Sequence, residues 1–178
     1  MKKVLDQSLI KRIVDYFIKT NKLSIVGKLC IVLICFERFC KKYKLGHPKI
    51  LEFINHVWKG IQMGRKDFDF NDWVKGFGEM DITGLGDPIP QEIVNCIPEE
   101  IFIDFYEFSE CVVETSATNW YCAYVEKETD QMFFKAVKIA KKHLIPIPKF
   151  KNYMNGPVGN GWGEALSDEQ LKKWRNSV

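Results

Sequence analysis

The sequence predicts an all-α fold, a single-domain multi-helix bundle over residues 1–178 with an irregular Gly/Pro-rich arm near its C-terminus. Three observations carry this expectation. Apolar residues recur at i, i+3, i+4 and i+7 in one segment after another, no two-residue alternation persists long enough to pair strands, and glycine and proline concentrate between the periodic segments. With 46% hydrophobic and 28% charged positions, 178 residues suffice to bury one substantial core, which excludes a disordered chain and a disulfide-stapled miniature.

Residues 6–20 place Leu9, Ile10, Ile13, Val14, Phe17 and Ile18 on one helix face, with Lys11, Arg12, Asp15 and Lys19 opposite. From about 24 to 44, Ile25, Val26, Leu29, Val32, Leu33, Phe36, Phe39, Cys40 and Tyr43 keep the same period. Ile31 and Ile34 spread that stripe almost around the helix, so it is expected at the centre. Gly46 is expected to stop it in a left-handed cap, and Pro48 to open a helix that buries Ile50, Leu51, Phe53, Ile54, Val57, Trp58 and Ile61. A short aromatic helix over Asp69 to Phe77 completes an N-terminal layer, 5–77.

Gly78, Gly84, Gly86, Pro88 and Pro90 make residues 78–90 a loop. A C-terminal layer over 91–145 opens with a short turn near 91–96. Pro98, Glu99 and Glu100 then start a long helix whose apolar face carries Ile101, Phe105, Phe108, Val112 and Val113. A further helix is expected from Asp130 to Leu144, capped by Thr129, with Phe133, Phe134, Val137 and Ala140 inward. The segment 146–178 holds the irregular arm and a last helix, which Ser167 and Gln170 open as a capping box and which runs to about Arg175.

Charge is distributed in blocks. Residues 1–66 carry 15 Lys/Arg against 4 Asp/Glu, residues 67–130 carry 2 against 16, and residues 131–178 carry 9 against 3. The acidic block is rich in aromatics and therefore folded. Either the basic flanks neutralise it internally or it forms a surface for a cationic partner. On the helix after Pro98, Glu100, Asp104, Glu107, Glu110 and Glu114 step by 4, 3, 3 and 4 residues, which keeps all five within a sector of roughly 120°. Each like-charge pair costs a few tenths of a kcal/mol, and no lysine is interleaved. The ridge, with Ile103 as an apolar anchor, is therefore the candidate partner-binding surface, with Asp104, Glu107 and Glu110 central and Glu100 and Glu114 at its rim. Asp69 and Asp72, beside Phe68, Phe70 and Trp73, are a candidate second contact. Glu37 and Arg38 interrupt the apolar run of the central helix and are expected to be a structural buried pair that holds loops or a neighbouring helix in register.

Other chemistries find little support. His47, His56 and His143 are scattered, and the five-residue steps between Cys30, Cys35 and Cys40 turn each thiol about 140° from the last, so no metal and no cofactor are expected. No G-x-S-x-G is present, and the arm Gly156 to Gly163 is neither a P-loop nor a dinucleotide fingerprint. Cys111 or Cys122 with His143 is the one conceivable nucleophile and base; the chain is not expected to be an enzyme. Basic residues of the first 66 could touch phosphates, yet no recognition motif accompanies them and the acidic block opposes a nucleic-acid backbone. Asp6, Lys11 and Arg12 break any signal-peptide core, and the longest apolar run, Leu29 to Phe36, is far short of the roughly 20 residues of a membrane span. With six cysteines and no C-x-x-C, a cytoplasmic protein with reduced core thiols is expected.

Glu37-Arg38 with Tyr43, then Val57-Trp58, then Phe105-Tyr106-Glu107 leading to Ser116-Ala117, resembles the YjaG-like family of all-helical bacterial proteins over roughly residues 5–145. Phe36 stands between Cys35 and Glu37, where that family has Cys-Glu-Arg in succession. The resemblance implies the helical fold alone. A small helical domain with an acidic surface is also similar in style to bacterial immunity proteins. That likeness implies neutralisation of a basic, nuclease-type toxin by occlusion, by a monomer or homodimer. The alternative is a regulatory or scaffolding domain that self-associates through its acidic and basic blocks.

Overall fold

The computed structural model describes residues 23–63, 65–117, 126–154 and 161–177. The helix expected over 6–20, Cys122 and most of the glycine-rich stretch lie outside them. The described residues form α1 (Ile25–Lys42), α2 (Pro48–Gly60), α3 (Phe70–Phe77), α4 (Gln91–Val94), α5 (Glu99–Ala117), α6 (Glu126–Lys142) and α7 (Asp168–Arg175), with a 3-10 turn at Phe150–Asn152 and no strand among them. The fold is the all-α bundle that the periodicity predicts.

α1 is the axis, because an unbroken run from Ile25 to Phe36 is buried on every side. It packs on α2, α5 and α6, α5 packs on α6, and α3 lies on α2. One core therefore joins the two halves of the chain instead of separating them into layers. At its middle Phe36 meets Phe53 of α2 at 5.9 Å and both Phe105 and Phe108 of α5 at 5.4 Å between ring centroids. Burying each such ring stabilises the fold by roughly 1.5–3 kcal/mol before any edge-to-face gain.

Directions follow from two polar contacts. Lys28 near the start of α1 meets Asp130 near the start of α6, and Tyr43 just past the end of α1 meets His143 just past the end of α6, so the two helices run parallel. α5 is antiparallel to both, since Asp104 in its first turns reaches Lys142 and His143.

Several expected boundaries shift. α6 begins at Glu126, so Thr129 is a fully buried residue inside the helix and not its cap. The left-handed residue after α1 is Lys44, φ 56°, and not Gly46. Leu45 N–H bonds to Cys40 O at 2.9 Å, the long-range bond of a Schellman end, and the buried Leu45 supplies its apolar contact. Leu144, φ 54°, ends α6 in the same way, with Ile145 N–H on Ala140 O at 2.8 Å. The apolar contact at the following residue outweighs the modest left-handed cost of lysine or leucine. Leu51, expected inside, is 48% exposed.

The C-terminal segment is built into the core. Ile25 N–H donates to Gly161 O at 2.7 Å, which satisfies one of the orphan donors at the start of α1, while Ser24 caps Gly27 N–H at 3.0 Å. A Cβ on Gly27 would sit 2.5 Å from Tyr153 O, so only glycine lets this return segment lie so close. Gly84 plays the corresponding part for the loop before α4: at φ +64° it lies where a Cβ would come 2.7 Å from Ser109 O, which seats the loop directly on α5. The capping box of α7 forms as expected, Gln170 N–H to Ser167 Oγ and Ser167 N–H to Gln170 Oε1.

Candidate functional site

The acidic ridge of α5 divides into an inward edge and an outward cleft. Asp104 shares its azimuth on the helix with Cys111 and Thr115, both buried, and is itself buried. Its carboxylate accepts from Lys142 Nζ at 2.9 and 2.6 Å and pairs with His143 Nε2 at 2.7 Å. Tyr43 Oη lies 2.7 Å from His143 Nδ1, and Lys42 Nζ donates to His143 O at 2.7 Å. Burial pulls the Asp104 carboxyl upward, but the hydrogen bonds and charges of Lys142 and His143 outweigh it and hold the group below the usual carboxylate range. The expectation that Asp104 is a central partner contact is therefore corrected. It ties α5 to the ends of α1 and α6, where Lys42 and Lys142 also complement two helix C-termini.

Glu107 is half-buried and lies 3.6 Å from Lys135 of α6, so its charge is partly answered within the chain. Glu100 is exposed, and Ile103 beside it is 71% exposed, the most outward large apolar side chain on this helix. Glu110 and Glu114 flank a cleft of about 240 Å³, lined besides by Gly84, Leu85, Gly86, Met132 and Lys135. Leu85 is 42% exposed at its lip. Burial pushes the Glu114 carboxyl up, and the charges of Glu110 and Glu128 push it further. Glu110 bonds to Tyr106, and neither Glu110 nor Glu114 has an ion pair among the described residues.

The remaining acids of the block are mixed. Asp81 pairs with Lys49 at 3.1 Å, Asp67 with Arg65 at 3.3 Å and Asp130 with Lys28 at 2.6 Å. Asp69 Oδ1 caps Asp72 N–H at 3.0 Å, and both residues are exposed on α3, which packs on α2; among the described contacts none joins them to the α5 ridge. Trp73 is core, and its indole N–H donates to His56 O at 2.9 Å.

Glu37 and Arg38 are half-buried and do not pair with each other, because adjacent helix positions diverge by about 100°. Glu37 accepts from the Trp58 indole N–H of α2. Arg38 donates to Pro146 O at 2.6 Å and Ser177 O at 2.5 Å, and so clamps the return segment and the C-terminal turn onto α1. They act as two separate ties.

Both ring nitrogens of His143 are engaged by Tyr43 and Asp104, which leaves none to activate Cys111. Burial pushes the thiols of Cys35 and Cys111 up to about 12, and those of Cys30 and Cys40 upward as well. No described helix is long and apolar enough to cross a membrane.

Sequence reasoning missed Tyr43, Lys142 and His143 around Asp104, and Leu85, Met132 and Lys135 at the cleft. The Lys142-His143 pair at a helix end was a weak signal, but inter-helix register is invisible in one sequence. No family model, no curated protein and no solved structure matches the chain.

Proposed function

We propose that this chain neutralises a basic protein by binding and covering it, as an immunity protein does for a nuclease-type toxin. The contact surface is the outer part of the α5 ridge, Glu100, Ile103, Glu107, Glu110 and Glu114, with Leu85 at its edge. The observation that carries the reading is the cleft between Glu110 and Glu114. Both carboxylates line it, half-buried and without an ion pair among the described residues, since Lys135 in the same cleft pairs with Glu107, and burial followed by the charges of Glu110 and Glu128 holds the Glu114 carboxyl above its ordinary range. A lysine or arginine from a partner would relieve that repulsion, and exposed Ile103 and Leu85 offer apolar contacts around it. The mechanism is occlusion rather than chemistry. Complementary charge raises association from about 10⁵–10⁶ toward 10⁸ M⁻¹s⁻¹ at low salt.

The test is growth rescue. Basic nuclease-type toxin domains are expressed one at a time in cells with the wild type or with E110K/E114K/I103D, whose helicity is checked by circular dichroism. Protection by the wild type and its loss in the folded variant supports the reading. Equal protection by both removes it. Self-association through the acidic and basic blocks predicts instead a particle mass that falls as salt rises.

A further inference from the structure

Two hollows of about 570 and 380 Å³ lie side by side along α2 and share Asn55 and Arg175. Each wall is one helix face. α1 contributes Glu37, Cys40 and Lys41, with Lys44 just past its end; α2 contributes Leu51, Ile54, Asn55, Trp58 and Lys59, with Gln62 just past its end; and α7 contributes Asp168, Leu171, Lys172 and Arg175. Within α2 the lining runs from Leu51 to Lys59, about 12 Å at 1.5 Å per residue, a little over two helical turns.

The charges in this groove are one-sided. Of its two carboxylates, Asp168 pairs with Arg65 outside the groove and Glu37 accepts from the Trp58 indole, against five cations. Lys41, Lys44, Lys59, Lys172 and Arg175 have no carboxylate partner among the described residues. Arg175 is set across the groove by a 2.5 Å bond to Asn55 Oδ1 and by its position over the Trp58 ring. Lys44 projects from the left-handed end of α1, a backbone fixed by the Leu45–Cys40 bond. Beneath this rim the floor is aliphatic, with Cys40, Leu45 and Ile54 buried and Leu51 open to solvent.

We propose that this groove docks an acidic amphipathic helix of at least two turns from a second protein, with leucine-like side chains on Leu51, Ile54 and Leu171 and carboxylates on the lysine and arginine rim. The surface is distinct from the α5 ridge and the proposal does not depend on the function assigned to that ridge. An acidic protein segment fits better than a nucleic-acid strand, because strand binding uses open aromatic faces for base stacking. The one aromatic here, Trp58, is buried beneath Arg175.

The probe is a fluorescein-labelled 14-residue peptide with leucine at i, i+3, i+4 and i+7 and glutamate elsewhere, followed by fluorescence anisotropy on the full chain. Saturable binding is expected, weakened at least tenfold in K41E/K44E/K172E and in the single variant K172E to a smaller degree, and weakened at least tenfold when serine replaces the leucines. E110K/E114K is expected to bind the peptide as the wild type does, which separates this site from the α5 ridge. No saturable binding up to about 1 mM, equal binding by the folded triple variant, or equal binding of an oligouridylate of the same charge overturns the proposal. A salt-sensitive dimer that K41E/K44E/K172E abolishes also overturns it, in favour of a second copy of this chain.

Discussion

Replacing Asp104 separates the two roles open to an acidic residue on α5. Its carboxylate holds three hydrogen bonds, two to the Lys142 ammonium and one to His143. In Asp104→Ala the lysine, 63% exposed at its side chain, regains water and contributes no more than about 1 kcal/mol to the loss. His143 is buried and loses the partner of Nε2, which costs about 1–3 kcal/mol. The expected destabilisation is therefore about 1–4 kcal/mol, read as a lower urea midpoint at unchanged slope. Asp104→Asn, which keeps one acceptor, should lose less. Because the folded carboxyl is held below its unfolded value, this contribution is complete above the usual carboxylate range. It disappears as pH falls through the depressed folded value, so wild type and Asp104→Ala should converge in acid. An alanine variant as stable as wild type at pH 7 would refute the assignment of Asp104 to the interior.

Three further variants, at two sites, follow from the same reasoning. Lys28 is 0% exposed and its ammonium lies 2.6 Å from Asp130, whose side chain retains some access to water; Asp130→Ala strands a buried cation and is expected to cost about 3–5 kcal/mol, whereas the double exchange Lys28→Met/Asp130→Leu is expected to fall within about 1 kcal/mol of wild type or above it, both read by urea denaturation. Glu114 is the opposite case to Asp104, since its folded carboxyl is raised and its ionised form opposes folding. Glu114→Gln should therefore raise stability at pH 7 by about 0.5 kcal/mol, the gain should fade as pH drops through the raised value, and the same variant should protect less well in the growth assay.

Helix identity was legible residue by residue. The near-continuous apolar circumference of 25–36 marked α1 as the axis, Pro48 marked the start of α2, and Ser167 with Gln170 marked the start of α7, because each of these signals acts within one turn of chain. The acidic ridge on α5 was legible for the same reason, as a consequence of 100° steps on a single helix.

Which carboxylates of that ridge meet solvent was not legible. Asp104 and Glu110 are the two edges of that ridge, about 120° apart, and it is α6 that lays Lys142 and His143 on the first and Met132 beside the second. The inward cap supplied by Gly161, the separate ties made by Glu37 and Arg38, and the basic groove between α2 and α7 likewise join residues 20 to 140 positions apart. The sequence by itself determined the elements, their apolar faces and the sign of charge along the chain. The tertiary structure alone decided which charges are answered, because an ion pair across helices depends on register and crossing, and these are set by the packing of the whole core.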